Sequence, residues 1–133
     1  MTIRCWVDGA CRPNPGKGGI GVCFRGDVVD YDISELCPIA RVSNNQAEYF
    51  SLIRALSELL NLGFHEEEIV LYSDAEMIVL QMSGERKVDK GGAYVPQHFR
   101  AKELVKHFPH LKIEWIAREE NYEANMLASK AVK

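Results

Sequence analysis

Hydrophobic and polar residues alternate through IRCWVD, residues 3–8, and the run ends on an acid, Asp8. Alternation of this length predicts a strand. GACRPNPGKGG follows and supplies the glycines and prolines of a loop. GIGVCFRG and VVDYDISELC are the next two strand segments, with Gly26-Asp27 as a hairpin turn between them. Three strands joined in this way predict an antiparallel meander.

The period then changes. Leu52, Ile53, Leu56, Leu59 and Leu60 recur at helical spacing. Ser43 is a good N-cap, and Gln46 three residues on completes a capping box. Gly63 suits the position just past the C-terminus of that helix. IVLYSD is a short apolar run of the kind covered on both faces, and it too ends on an acid, Asp74. AEMIVLQMS predicts a helix, VDKGGAYVP a loop stopped by its proline, and QHFRAKELVKHF an amphipathic helix. KIEWIA predicts a strand and ENYEANMLAS a last helix. The order β-β-β-α-β-α-α-β-α implies an α/β fold. Its mixed five-stranded sheet has an antiparallel meander, then parallel strands, with helices on both faces.

Composition narrows the class. A chain of 133 residues with no linker, repeat or low-complexity tract suits one stand-alone domain spanning 1–133. With 47% hydrophobic and 26% charged residues it has the make-up of a soluble globular protein. No apolar run approaches the roughly 20 residues needed to cross a bilayer, and MTIRCWVDGA holds no apolar signal segment. Cys5, Cys11, Cys23 and Cys37 show neither a C-x-x-C pair nor zinc spacing, so they read as reduced thiols of a cytoplasmic protein. A net charge of −3 argues against bulk, non-specific coating of nucleic acid. It leaves room for a nucleic-acid enzyme whose acids are gathered in one cleft. His98, His107 and His110 read as surface residues on or near the amphipathic helix.

Two strands ending on acids raise a chemical possibility. In open α/β sheets, sites form beyond the carboxyl ends of the strands. Either Asp alone reads as a turn or cap residue; the pair weakens that reading. Glu48 heads the line Leu52, Ala55, Leu59 on the core side of its helix. It is either an acid favoured by the helix N-terminus or a buried ligand. Three convergent carboxylates without a nearby His or Cys point to a hard cation such as Mg²⁺. Two such ions about 4 Å apart support in-line attack on a phosphodiester.

VDGACRPNPGKGGIGV, SNNQAEY, LYSDAEMIV and REENYEANMLASKA, in that order and over nearly the whole chain, resemble the motifs of the ribonuclease HI family. The stretch between Gln81 and Lys102 has no extra basic helix, as in compact members of that family. The resemblance implies hydrolysis of the RNA strand in an RNA–DNA hybrid, leaving a 5′-phosphate and a 3′-hydroxyl. It implies two Mg²⁺ ions, with Mn²⁺ as a substitute. Asp8 would bridge both ions, and Glu48 and Asp74 would complete the site nearer the leaving group. The family's fourth acid falls at Asn125, in Ala124-Asn125-Met126-Leu127-Ala128. Residues matching Asn14, Asn44 and Asn45 contact the hybrid in the family, Gln46 is well placed beside them, and Ser43 matches a position that holds a DNA phosphate. The 2′-hydroxyl on the minor-groove side is the signal such uncharged groups read. Asn44 and Asn45 also suit helix capping. A monomer acting away from membranes is expected.

Three departures from the family bear on this. Glu76 stands where a Gln is frequent and would repel phosphate. Arg118 stands where many members have a mobile His; it stays charged and could hold a phosphate but not shuttle protons. Asn125 offers an amide oxygen without charge, which predicts weakened metal binding and reduced activity with an intact fold. Its origin is natural or a deliberate isosteric exchange, and the intact Asp8, Glu48 and Asp74 favour the second. The alternatives are a hybrid-binding module without turnover, a nuclease of this fold acting on double-stranded RNA or DNA, and a plain α/β domain with incidental acids.

Overall fold

A computed structural model describes residues 2–133. Strands β1 (Thr2–Arg12), β2 (Lys17–Arg25) and β3 (Tyr31–Leu36) form the meander. Then come α1 (Asn44–Asn61), β4 (Glu68–Ser73), α2 (Glu76–Ser83), α3 (Val95–Val105), β5 (Leu111–Trp115) and α4 (Tyr122–Ala131). The sheet order is β3-β2-β1-β4-β5. β1 pairs antiparallel with β2 and parallel with β4, and β4 pairs parallel with β5. The expected α/β class, mixed sheet and element order are therefore present.

Glycines set how closely the helices approach. A Cβ at Gly9 would collide with the backbone of Ala47 and Glu48 in α1, and one at Gly21 with the backbone of Ala124 and Ala128 in α4. Gly21 pairs with Asp8 across β1 and β2. Side chains alternate along a strand, so α1 and α4 lie on opposite faces and Asp8 looks toward α4. The core lies mainly under α1, where Ile3, Cys5, Val7, Leu52, Leu56, Leu59, Ile69 and Leu71 are buried.

Four expectations need correction. β1 does not stop at Asp8 but runs on to Arg12, because the chain continues as a hairpin with β2. Only its parallel ladder with β4 ends there, at Val7 opposite Ser73. Residues 26–30 make a longer connection than the two-residue turn at Gly26-Asp27, since Phe24 already pairs with Tyr31 and Val29 turns inward. Pro96 opens α3 rather than closing a loop, a place where its missing N–H goes unmissed. His98 is not a surface residue; it is 5% exposed and contacts Tyr49 and Phe99, while His107 and His110 are exposed as expected. All four cysteines are free thiols, and burial raises the titration of Cys5, Cys23 and Cys37 so that they stay protonated. No helix among the described residues is long and apolar enough to cross a membrane.

Candidate active site

The end of the β1–β4 ladder gathers the acids. One carboxylate oxygen each from Asp8, Glu48 and Asp74 lies within 4.8 Å of the others. Each arrives from a different element for a local reason. Asp8 follows the last parallel pair of β1, and Asp74 follows β4. Glu48 sits one turn into α1 and accepts a hydrogen bond from the Gly9 N–H, which the missing Cβ of Gly9 permits. The Ser43–Gln46 capping box fixes where that helix starts, with Ser43 Oγ accepting from the Gln46 N–H at 3.2 Å and Gln46 Oε1 from the Ser43 N–H at 3.0 Å.

α4 closes the cluster from the other side. Asn121 and Asn125 share a face one turn apart. Asn121 Nδ2 donates to the Val7 carbonyl and Asn125 Nδ2 to Asp8 Oδ2, each at 2.8 Å. Asn125 is thus no surface residue; it presents its amide N–H₂ to the one acid that is only 4% exposed. Behind Asp74, Trp115 Nε1 donates to the Asp74 carbonyl at 3.2 Å and ties β5 to this corner.

Electrostatics make the cluster unbalanced as it stands. Burial, and then the nearness of Asp8, push the Glu48 carboxyl well above the usual carboxylate range. Burial also raises Asp8, partly offset by its hydrogen bonds to Glu48, Asn125 and Gly9. Asp74 Oδ2 is buried with no hydrogen-bond partner. An orphaned acceptor beside two acids that resist ionisation is what a cation would relieve. The donor set, all oxygen, fits a hard divalent ion.

This imbalance gives a pH prediction. Acids raised in the folded state keep protons that the unfolded chain loses above about pH 4. Their stabilising contribution is complete below that pH and is lost as pH rises through the raised values. Without metal, the melting temperature of the wild type should therefore fall from about pH 4 to 7 relative to Glu48→Gln. Melting curves of the two proteins across that range check this; parallel curves would refute it.

The acids floor an open, polar cleft of about 360 Å³ lined also by Cys11, Arg12, Asn44, Arg118, Asn125 and Ser129. A more apolar hollow of about 250 Å³ beside Trp6, Cys23 and Ala124 holds none of the clustered carboxylates. Asn14 reaches the cleft rim through α1, its Oδ1 accepting the Asn44 N–H at 3.0 Å. Asn44 and Asn45 are exposed, and Arg118 is exposed at the rim. Glu76 is exposed at the start of α2 and takes no part in the cleft lining. Three further residues belong to the site. Arg12, 3.3 Å from Ser129 Oγ, and Ser129 itself line the cleft, and Trp115 braces Asp74. The stripe Asn121, Asn125, Ser129 at four-residue spacing could have shown the second.

The Reverse transcriptase-like family profile matches residues 6–131. The putative hydrolase EbsB of Enterococcus faecalis is 32% identical over 98% of this chain and 94% of its own length. A ribonuclease HI of Halobacterium salinarum is 32% identical over 98% of this chain and 64% of its own length. The chain spans 36% of longer mycobacterial relatives. The structure of LC11-RNase H1 in complex with RNA/DNA hybrid superposes with a TM-score of 0.86 at 32% identity, covering 98% of this chain and 96% of that one.

Proposed function

The chain belongs to the ribonuclease H family, and on that premise we propose that it is an endoribonuclease hydrolysing the RNA strand of RNA–DNA hybrids. The observation that carries the reading is the meeting of Asp8, Glu48 and Asp74 at an open cleft, with Asp74 Oδ2 left unpartnered. The hybrid bound to LC11-RNase H1 supports the choice of substrate.

Asp8, Glu48 and Asp74 would hold Mg²⁺ ions, or Mn²⁺ in their place, with Asn125 at the fourth position. Bound ions would supply an activated water and stabilise the leaving oxygen of an in-line displacement. The chain's own residues orient the duplex. Asn14 Oδ1 is engaged by the Asn44 N–H and Gln46 Oε1 by the Ser43 N–H, so each side chain keeps its N–H₂ for another acceptor. Such donors, with Asn44 and Asn45, suit minor-groove acceptors and the 2′-hydroxyl. Ser43, at the α1 cap, and Arg118, at the cleft, would contact phosphates of the duplex. Asn125 acts as a neutral member of the cluster: its N–H₂ now faces Asp8, and an amide that turns its oxygen inward adds no charge to hold an ion. The site then works below the rate of a four-carboxylate set.

One observation favours a second reading, a hybrid-binding module without turnover: Asn125 spends its donor on Asp8. Cleavage of a hybrid, scored beside single-stranded and double-stranded RNA, separates the readings. Replacing both Asn44 and Asn45 by Ala should raise KM for the hybrid about tenfold with kcat little changed, as for lost uniform binding. Steady-state kinetics test this, and an unchanged KM would remove both residues from the substrate site.

A further inference from the structure

Beside the carboxylates lies a buried polar cluster that the cleavage reading leaves unused. It centres on Tyr49, the residue after Glu48 in α1. The Tyr49 hydroxyl lies 2.6 Å from Gln81 Oε1 in α2 and 2.8 Å from His98 Nδ1 in α3. Gln81 Nε2 lies 3.0 Å from the Tyr94 hydroxyl and 3.4 Å from the Lys87 carbonyl. The Asp89 N–H also donates to the Tyr94 hydroxyl, at 3.0 Å. Tyr49, Gln81, Tyr94 and His98 are each no more than 5% exposed.

One pattern of donors and acceptors fits the bonds around Gln81, Tyr49 and His98. The Lys87 carbonyl can only accept, so the Gln81 amide nitrogen faces it. Gln81 Oε1 then faces Tyr49, and the Tyr49 O–H donates to it. The Tyr49 oxygen is left to accept from His98 Nδ1–H. Burial lowers the titration of His98, with Lys102 adding to the effect, which keeps the ring neutral. The rings restrain the hydroxyl as well. Tyr94 stacks on Tyr49 at 5.7 Å and 10°, and His98 meets Tyr49 edge-on at 5.5 Å and 87°.

A buried hydrogen-bonded network of this kind favours one arrangement of the elements that carry it. The elements joined here are the ones that present two of the acids. α1 carries Glu48, and α2 starts two residues after Asp74. We propose that the Tyr49 hydroxyl is a positioning group for metal binding: through Gln81 it sets the separation of Glu48 from Asp74, and His98 and Tyr94 hold it in place. This rests on the metal site of the proposed function. Metal–ligand distances tolerate only about 0.2 Å, so a small slip between α1 and α2 lowers affinity.

The test uses Mn²⁺ alone, titrated into the protein with the free ion counted by electron paramagnetic resonance. Tyr49→Phe keeps the ring stack and removes one oxygen; Gln81→Leu removes its partner. Ile33→Val, in the edge strand β3 with two strands between it and β4, is a control for general destabilisation. The dissociation constant for Mn²⁺ should rise about tenfold in Tyr49→Phe and Gln81→Leu, the low end for groups that orient ligands, and stay unchanged in Ile33→Val. In the cleavage assay the Tyr49→Phe defect should lie in kcat at limiting Mn²⁺ and recover at high Mn²⁺. Equal Mn²⁺ affinity in wild type and Tyr49→Phe overturns the proposal, as does an equal loss in Ile33→Val. A wild type that binds no Mn²⁺ overturns the metal site itself and this proposal with it.

Discussion

Asp8→Asn should abolish hybrid cleavage, lowering kcat by at least about 10³-fold in either Mg²⁺ or Mn²⁺. Asp8 stands at the centre of the cluster, close to both Glu48 and Asp74 and in contact with Asn125. Its loss would leave two amides facing two acids. Transition-state stabilisation by bound metal amounts to several kcal/mol, and each 1.36 kcal/mol is a factor of ten in rate. The same change should raise the metal-free melting temperature, because one buried acid that resists ionisation is gone. Steady-state cleavage and melting curves read both effects. Cleavage persisting in Asp8→Asn would show that Asp8 does not hold the metal.

Asn125→Asp should act in the opposite sense on both counts. It replaces the N–H₂ that donates to Asp8 Oδ2 with a fourth carboxylate. Asp8 and Glu48 are already pushed upward in this cluster, so without metal the variant should melt several degrees lower. Mg²⁺ should recover the difference, since an ion that binds only the folded form stabilises it by mass action. Cleavage at millimolar Mg²⁺ should rise about 10- to 100-fold, the usual range for restoring a group that tunes a metal site. A melting temperature that ignores Mg²⁺ in Asn125→Asp would place residue 125 outside the metal cluster.

The elements with strong local signals were legible in the sequence. The Ser43–Gln46 box and the leucine stripe mark α1, and the alternating and apolar runs mark the strands. The two Asp residues at the end of the parallel ladder could be read because strand ends carry sites in such sheets. What the sequence hid depends on partners far along the chain. β1 is the local exception: it runs past Asp8 because residues 9–12 pair with residues 17–20 of β2 across a Pro- and Gly-rich turn, and no alternation in residues 9–12 announces it. His98 reads as polar on an amphipathic helix, yet the Tyr49 hydroxyl of α1, itself held by Gln81 of α2, supplies the hydrogen bond that lets it be buried. Trp115 gives no local sign that its indole will brace Asp74. Asn125 was the opposite case: poor as a helix-interior residue, it is accounted for once Asp8 is seen as its partner.

The central reading is that this cleft cuts RNA paired with DNA. Its most direct measurement uses an RNA strand labelled at one end, annealed to DNA, and incubated with the wild type and Asn125→Asp in Mg²⁺ and in Mn²⁺. The expected result is slow cleavage by the wild type and faster cleavage by Asn125→Asp, with 3′-hydroxyl ends and with single-stranded RNA left intact. RNA that stays whole with both proteins in both metals would contradict it.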